Sequence, residues 1–257
     1  MIRESNFEPD LATPLVADAL DPTNERESVW NSRTHSNSIN GCGTAPRTYR
    51  TFRENPADEL GLPVLYVVNG SCTWYSDGYY WSNLARLYRD WRGKAVYVDG
   101  PDLDGSLSED IMYDMRNEMI ENCWAGHCDV ALAGYSRGLY VVIAAYWKAN
   151  NWLRDNGYPE RIRAQLGTMA IDPVKSLIGG FTSDAPGPVI HFKKRRNCFF
   201  LAPCSVYNNG PLEGDIRVLE RFDISHIAFT HDSEVRRKLR ESINGLGAQI
   251  IGRVVSD

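Results

Sequence analysis

Ser136 stands at the centre of Gly134-Tyr135-Ser136-Arg137-Gly138, a Gly-x-Ser-x-Gly pentad. A serine hydroxyl attacks a carbonyl usefully only when a base takes its proton and nearby N–H groups hold the resulting oxyanion. The pentad alone is a weak signal, because one arises by chance in about one chain of this length in ten. Its flanks supply the specificity. "DVALA" (129–133) reads as a buried strand, and the apolar run from about Arg137 to Asn156-Gly157 reads as a helix. Ser136 then falls on a strand-to-helix turn. Such a nucleophile elbow packs strand and helix so tightly that side chains at positions 134 and 138 would collide. It also lifts the hydroxyl above the sheet edge, at a helix N-terminus that favours developing negative charge. The plainer alternative is a tight turn capped by Ser136.

A nucleophilic serine needs a base. Of the five histidines, His35 lies in a polar arm, His127 precedes a strand and His191 sits inside one. His226, in "RFDISHIAFTHD", follows the last expected strand and precedes the last helix, where a base belongs; His231 is the alternative. For the acid, "GTMAIDPVKS" ends a strand at Asp172, and Pro173 stops that strand and leaves the carboxylate at the rim, with Asp184 and Asp223 as alternatives. The oxyanion is expected to meet the backbone N–H of Arg137 and that of Ser71 or Cys72, in the loop after the first core strand. Asn69, Gly70 and Tyr135 are the expected substrate contacts, with Gly70 letting the backbone approach the substrate.

The elements that must carry these residues alternate. "LPVLYVV" (62–68), "KAVYV" (94–98), "DVALA", "AQLGTMAI" (164–171), "PVIHF" (188–192) and "DIRVLERF" (215–222) read as strands. Between them, Trp81, Leu84, Tyr88 and Trp91 fall at helical spacing. A second helix is expected to open on a capping box, Ser106-x-x-Glu109, and to bury Ile111, Met115, Met119 and Cys123. A closing helix capped by Asp232 or Ser233 turns Val235, Leu239 and Ile243 inward. This alternation implies right-handed crossovers and a mostly parallel sheet with helices on both faces. Residues 1–58 are polar and aperiodic and are expected to form an irregular or partly disordered arm before a domain spanning 59–257. The stretch from Arg196 to Gly214 reads as a long loop.

Composition narrows the partners. The 257 residues are 43% hydrophobic and 24% charged, and a net charge of −5 excludes nucleic acid as the default partner. The basic run Lys193-Lys194-Arg195-Arg196 reads as a solvated strand end, with an anion or phospholipid headgroup contact as the sharper alternative. No apolar run is long enough for a membrane span, and the N-terminus lacks the pattern of a signal peptide, so a cytoplasmic location is the default; leaderless secretion stays open. The six cysteines (Cys42, Cys72, Cys123, Cys128, Cys198, Cys204) show no Cys-x-x-Cys pair and are expected to be buried free thiols. In an oxidising compartment Cys198–Cys204 or Cys123–Cys128 could pair. Zinc at Cys123, His127 and Cys128, or calcium at Asp99, Asp102 and Asp104, is the minor reading; neither metal nor cofactor is expected, and the acidic loop reads as solvated.

"GYSRG", "AIDPV" and "SHIAFTHDSEV", in that order between Leu62 and Ile243, resemble the bacterial alpha/beta-hydrolase family that includes lipase-like proteins and phospholipase effectors of type VI secretion. The resemblance implies an alpha/beta-hydrolase fold and a Ser136–Asp172–His226 triad, with Arg137 typical of that group's elbow. The expected activity is serine ester hydrolysis on a lipid or small ester. A hydrolase-fold binding or signalling module with a vestigial triad is the competing reading.

Overall fold

Apolar runs too short for helices become strands here, and longer amphipathic runs become the helices that cover them. The computed structural model describes residues 25–29, 49–53, 61–71, 82–101, 107–174, 181–194, 211–248 and 255. The strands are β1 (Glu25–Val29), β2 (Tyr49–Arg53), β3 (Val64–Val68), β4 (Ala95–Val98), β5 (Asp129–Tyr135), β6 (Arg163–Ile171), β7 (Asp184–Lys194) and β8 (Glu213–Phe222). The helices are α1 (Asn83–Asp90), α2 (Ser108–Trp124), α3 (Gly138–Asp155) and α4 (Ser233–Ala248), with a 3₁₀ turn at Ile227–Thr230. All eight strands join one sheet in the order β1-β2-β4-β3-β5-β6-β7-β8. From β4 to β8 every pairing is parallel, whereas β2 runs antiparallel to both β1 and β4.

Alternation along the strands divides the core between two faces. Leu65, Val67, Ala131, Ala133, Met169, Ile171 and Phe192 point to one face, where α1 supplies Leu84 and Tyr88 and α4 supplies Val235, Leu239 and Ile243. Val64, Tyr66, Val68, Val130 and Leu132 point to the other, covered by Ile111, Met115 and Met119 of α2 and Val141, Val142 and Ala145 of α3. Helix α3 is buried over most of its length because it packs against both the sheet and its neighbour α2. Strands covered on both sides need no polar alternation, which is why β3 is five consecutive fully buried apolar residues. The parallel, doubly covered sheet with a strand–turn–helix elbow at 135–138 is an alpha/beta-hydrolase fold. Among the described residues, no helix is long and apolar enough to cross a membrane.

Four expectations need correction. Residues 1–58 contain β1 and β2, whose polar sequences give no buried-strand pattern. Helix α2 starts at Ser108 with Leu107, not Ser106, at its N-cap and no side-chain cap there; Ser106 lies outside the described residues. Lys194 is buried at the end of β7 rather than solvated, while Arg195 and Arg196 lie outside the described residues. Cys123 and Cys128 are not free thiols: a disulfide joins them, tying the end of α2 to the lead-in of β5. Cys42, Cys72, Cys198 and Cys204 lie outside the described residues.

The bridged cysteines are five positions apart, so the bond closes a short loop and restricts the unfolded chain modestly. Replacing both (Cys123→Ala/Cys128→Ala) is expected to lower the unfolding free energy by about 2 kcal/mol without changing the fold, as checked by urea denaturation.

Candidate active site

Parallel strands deliver their C-terminal ends to one rim, and three of those ends carry the site. Ser136 follows β5, Asp172 follows β6, and His226 lies four residues beyond β8, heading the 3₁₀ turn. The His226 Nδ1 is 2.6 Å from Asp172 Oδ2, and its Nε2 is 2.9 Å from Ser136 Oγ. A carboxylate only accepts, so Nδ1 carries the proton toward Asp172, and the Nε2 lone pair is left to accept from the serine hydroxyl. Residues 90 and 54 positions apart from His226 thus meet as one hydrogen-bonded relay.

The elbow is as tight as its glycines imply. A Cβ on Gly134 would lie 2.3 Å from the Leu139 Cα, and one on Gly138 would lie 2.0 Å from the Asn69 carbonyl oxygen. Ser136 takes φ 54° and Asp172 takes φ 38°; among the described residues these are the only non-glycine residues at positive φ. Backbone strain of this kind gathers where a side chain must be held in one place. Asp172 is fully buried, and its other oxygen accepts the backbone N–H of Lys194 at 3.1 Å. Ser136 is 7% exposed and the His226 side chain 12%, so the relay is largely screened from water.

The loop after β3 runs against the serine. A Cβ on Gly70 would sit 3.1 Å from the Ser136 Cβ, and only 2.4 Å from the Tyr135 ring. Gly70 is therefore small because a side chain there would collide with the Tyr135 ring. Ser71 is half-buried on this loop, Cys72 lies outside the described residues, and Arg137 occupies the N-cap of α3 directly after the serine. Asn69 and Tyr135, expected at the substrate, are turned inward instead. The buried Asn69 amide donates to the Tyr97 hydroxyl and accepts from the Gly70 N–H. The Tyr135 ring stacks on His226 and its hydroxyl donates to the His226 carbonyl.

The alternatives lie elsewhere. Asp184 opens β7 at the opposite sheet edge, and His127 precedes β5 on that same edge. Asp223 and His231 are exposed, and His231 pairs with the Thr230 hydroxyl. His35, Asp102 and Asp104 lie outside the described residues; Asp99 is buried at the end of β4, not solvated. Among the described residues no cluster of His, Cys, Asp or Glu could hold a metal ion. Sequence reasoning missed two supports. The Lys194 amide is a backbone group and leaves no side-chain signal. Asn83, whose amide donates to the carbonyls of Phe229 and Asp232, fixes the segment after His226; a buried asparagine on an apolar helix face was the available sign.

No protein-family model matches the chain, and no curated protein matches it. Among solved structures it is similar to a lipase/esterase from Lactobacillus plantarum, at 13% identity over 87% of this chain and 97% of that one, with a TM-score of 0.48. A predicted CIB-like hydrolase from Thermoplasma acidophilum shares 14% identity over 77% and 92% of the two chains, TM-score 0.46. A thermostable esterase from Pseudomonas putida shares 12% over 86% and 81%, TM-score 0.44.

Gly138→Ala drives a methyl into backbone and is expected to cost about 3 kcal/mol or more, whereas Gly245→Ala, in open space on α4, should gain about 0.5–1 kcal/mol; thermal unfolding separates them. His191, buried in β7 with neither ring nitrogen hydrogen-bonded among the described residues, has its pKa lowered from the ordinary 6.5 to about 4 by burial, reinforced by Lys193 and opposed by Asp172. Because the folded value lies below the unfolded one, the unfolded chain takes up a proton that the folded chain refuses. Stability should therefore fall as pH drops from about 6.5 toward 4, by on the order of 3 kcal/mol from this group. His191→Leu should flatten that part of a stability-versus-pH curve.

Proposed function

We propose that the protein is a serine hydrolase that cleaves carboxylic esters through an acyl-enzyme. The observation that carries this reading is the unbroken relay from Ser136 Oγ through the His226 imidazole to Asp172, with contacts of 2.9 and 2.6 Å. In the first half-reaction the Oγ proton passes to His226 Nε2 as Oγ bonds to the carbonyl carbon, and the carbonyl π electrons move to oxygen. The oxyanion is held by the Arg137 amide and by that of Ser71 or Cys72. Collapse breaks the ester bond, and the leaving alkoxide takes the proton from Nε2. In the second half-reaction water gives a proton to His226 and attacks the acyl carbon, which releases the acid and restores Ser136. Asp172 keeps the ring in the tautomer that leaves Nε2 free to accept, and balances the imidazolium. This acyl transfer needs no cofactor.

The substrate class is a lipid or other carboxylic ester, phospholipids included. Ser136→Ala and His226→Ala are each expected to lower kcat on p-nitrophenyl esters by about 10⁴- to 10⁶-fold, and Asp172→Asn by about 10⁴-fold. A fluorophosphonate probe should label the wild type and not Ser136→Ala. A well-folded wild type that neither labels nor hydrolyses p-nitrophenyl esters or phospholipid vesicles would favour the binding-module reading.

A further inference from the structure

Tyr135 joins three parts of the site that the backbone alone does not join. It is the last residue of β5, directly before Ser136, and is 4% exposed. Its ring lies on the His226 imidazole with centroids 4.7 Å apart and planes 25° from parallel. Its hydroxyl donates to the His226 carbonyl at 2.7 Å. Its Cδ1 and Cε1 fill the space where a side chain on residue 70 would begin, 2.4 and 2.7 Å from that Cβ position.

We propose that Tyr135 is a positioning residue, a clamp that holds the His226 ring and the loop after β3 at fixed distances from Ser136. The proposal rests on the serine-hydrolase reading and goes beyond it. His226 heads a single 3₁₀ turn, and a turn that short does not fix a side chain by itself. Downstream, Asn83 holds the carbonyls of Phe229 and Asp232. At His226 itself the tyrosine hydroxyl holds the backbone, and the ring face limits rotation of the imidazole, so Nε2 stays aimed at Ser136 Oγ. The same face is a π surface against the imidazolium that forms as the serine loses its proton, an attraction absent from the neutral ground state. Its loss therefore belongs in kcat rather than KM. Contact with Gly70 extends the clamp to the loop expected to supply an oxyanion amide, so one rigid side chain sets base and loop together.

Two variants of the full chain separate the parts of the clamp. Tyr135→Phe keeps the stack and loses the carbonyl bond; kcat on a p-nitrophenyl ester and the fluorophosphonate labelling rate should fall roughly 3- to 10-fold, with KM unchanged. Tyr135→Leu loses both, and the fall should be on the order of 10²-fold. In proton NMR, the low-field resonance of the His226 Nδ1–H against Asp172 should be sharp in the wild type and in Ser136→Ala, but broadened in Tyr135→Phe. Folded Tyr135→Leu with wild-type kcat overturns the proposal, as does a raised KM at constant kcat, which would make Tyr135 a substrate contact. If Tyr135→Leu fails to fold, Tyr135→Phe decides: wild-type rates and an unchanged resonance overturn the clamp. A wild type without labelling or turnover overturns the hydrolase reading alone, because the resonance still tests the clamp independently of activity.

Discussion

One backbone contact governs the geometry of this molecule: the start of α3 approaches the end of β3 so closely that only a hydrogen fits between the Gly138 Cα and the Asn69 carbonyl. To reach that position the chain must reverse from β5 into α3 within two residues, which puts Ser136 at φ 54°. The reversal then presses Leu139 onto Gly134 and leaves the serine hydroxyl standing above the rim. The same approach brings the loop after β3 alongside the serine.

Such strain persists only where its surroundings over-determine it. A residue in a sparsely populated backbone region costs of order 1–3 kcal/mol. Ser136 and Asp172 are both of this kind, and they sit at the ends of β5 and β6, which hold Val130, Leu132, Leu166, Met169 and Ile171 at 1% exposure or less. Each such side chain contributes about 1.5–3 kcal/mol on burial. A few of them outweigh both strained residues, so the deepest part of the core lies directly beneath the most strained part of the chain.

Much of this is legible in the amino-acid sequence. The six strands from β3 to β8 and all four helices announce themselves through apolar runs and helical spacing. The relay residues could be named because each lies at a strand end, where the chain order Ser, Asp, His has physical meaning. What escaped the sequence shares a different character. Strands β1 and β2 are polar sheet-edge additions, so no buried pattern marks them. The role of Tyr135 depends on which way its ring turns, and in the pentad it occupies an unrestricted position. Asn69 reads as a substrate contact in the loop after β3, yet its amide is consumed by Tyr97 and Gly70. The Cys123–Cys128 bond could be named as one option but not chosen, because spacing alone does not choose among pairings.

The hold on Asp172 has a consequence for how this architecture can vary. Strand β7 supports the carboxylate through the main-chain N–H of Lys194. Any amino acid but proline can offer that group, so this hydrogen bond does not depend on which side chain stands at position 194, although the buried side chain has packing of its own to satisfy. Proline is the one replacement that removes this hydrogen bond outright, because it lacks the main-chain N–H.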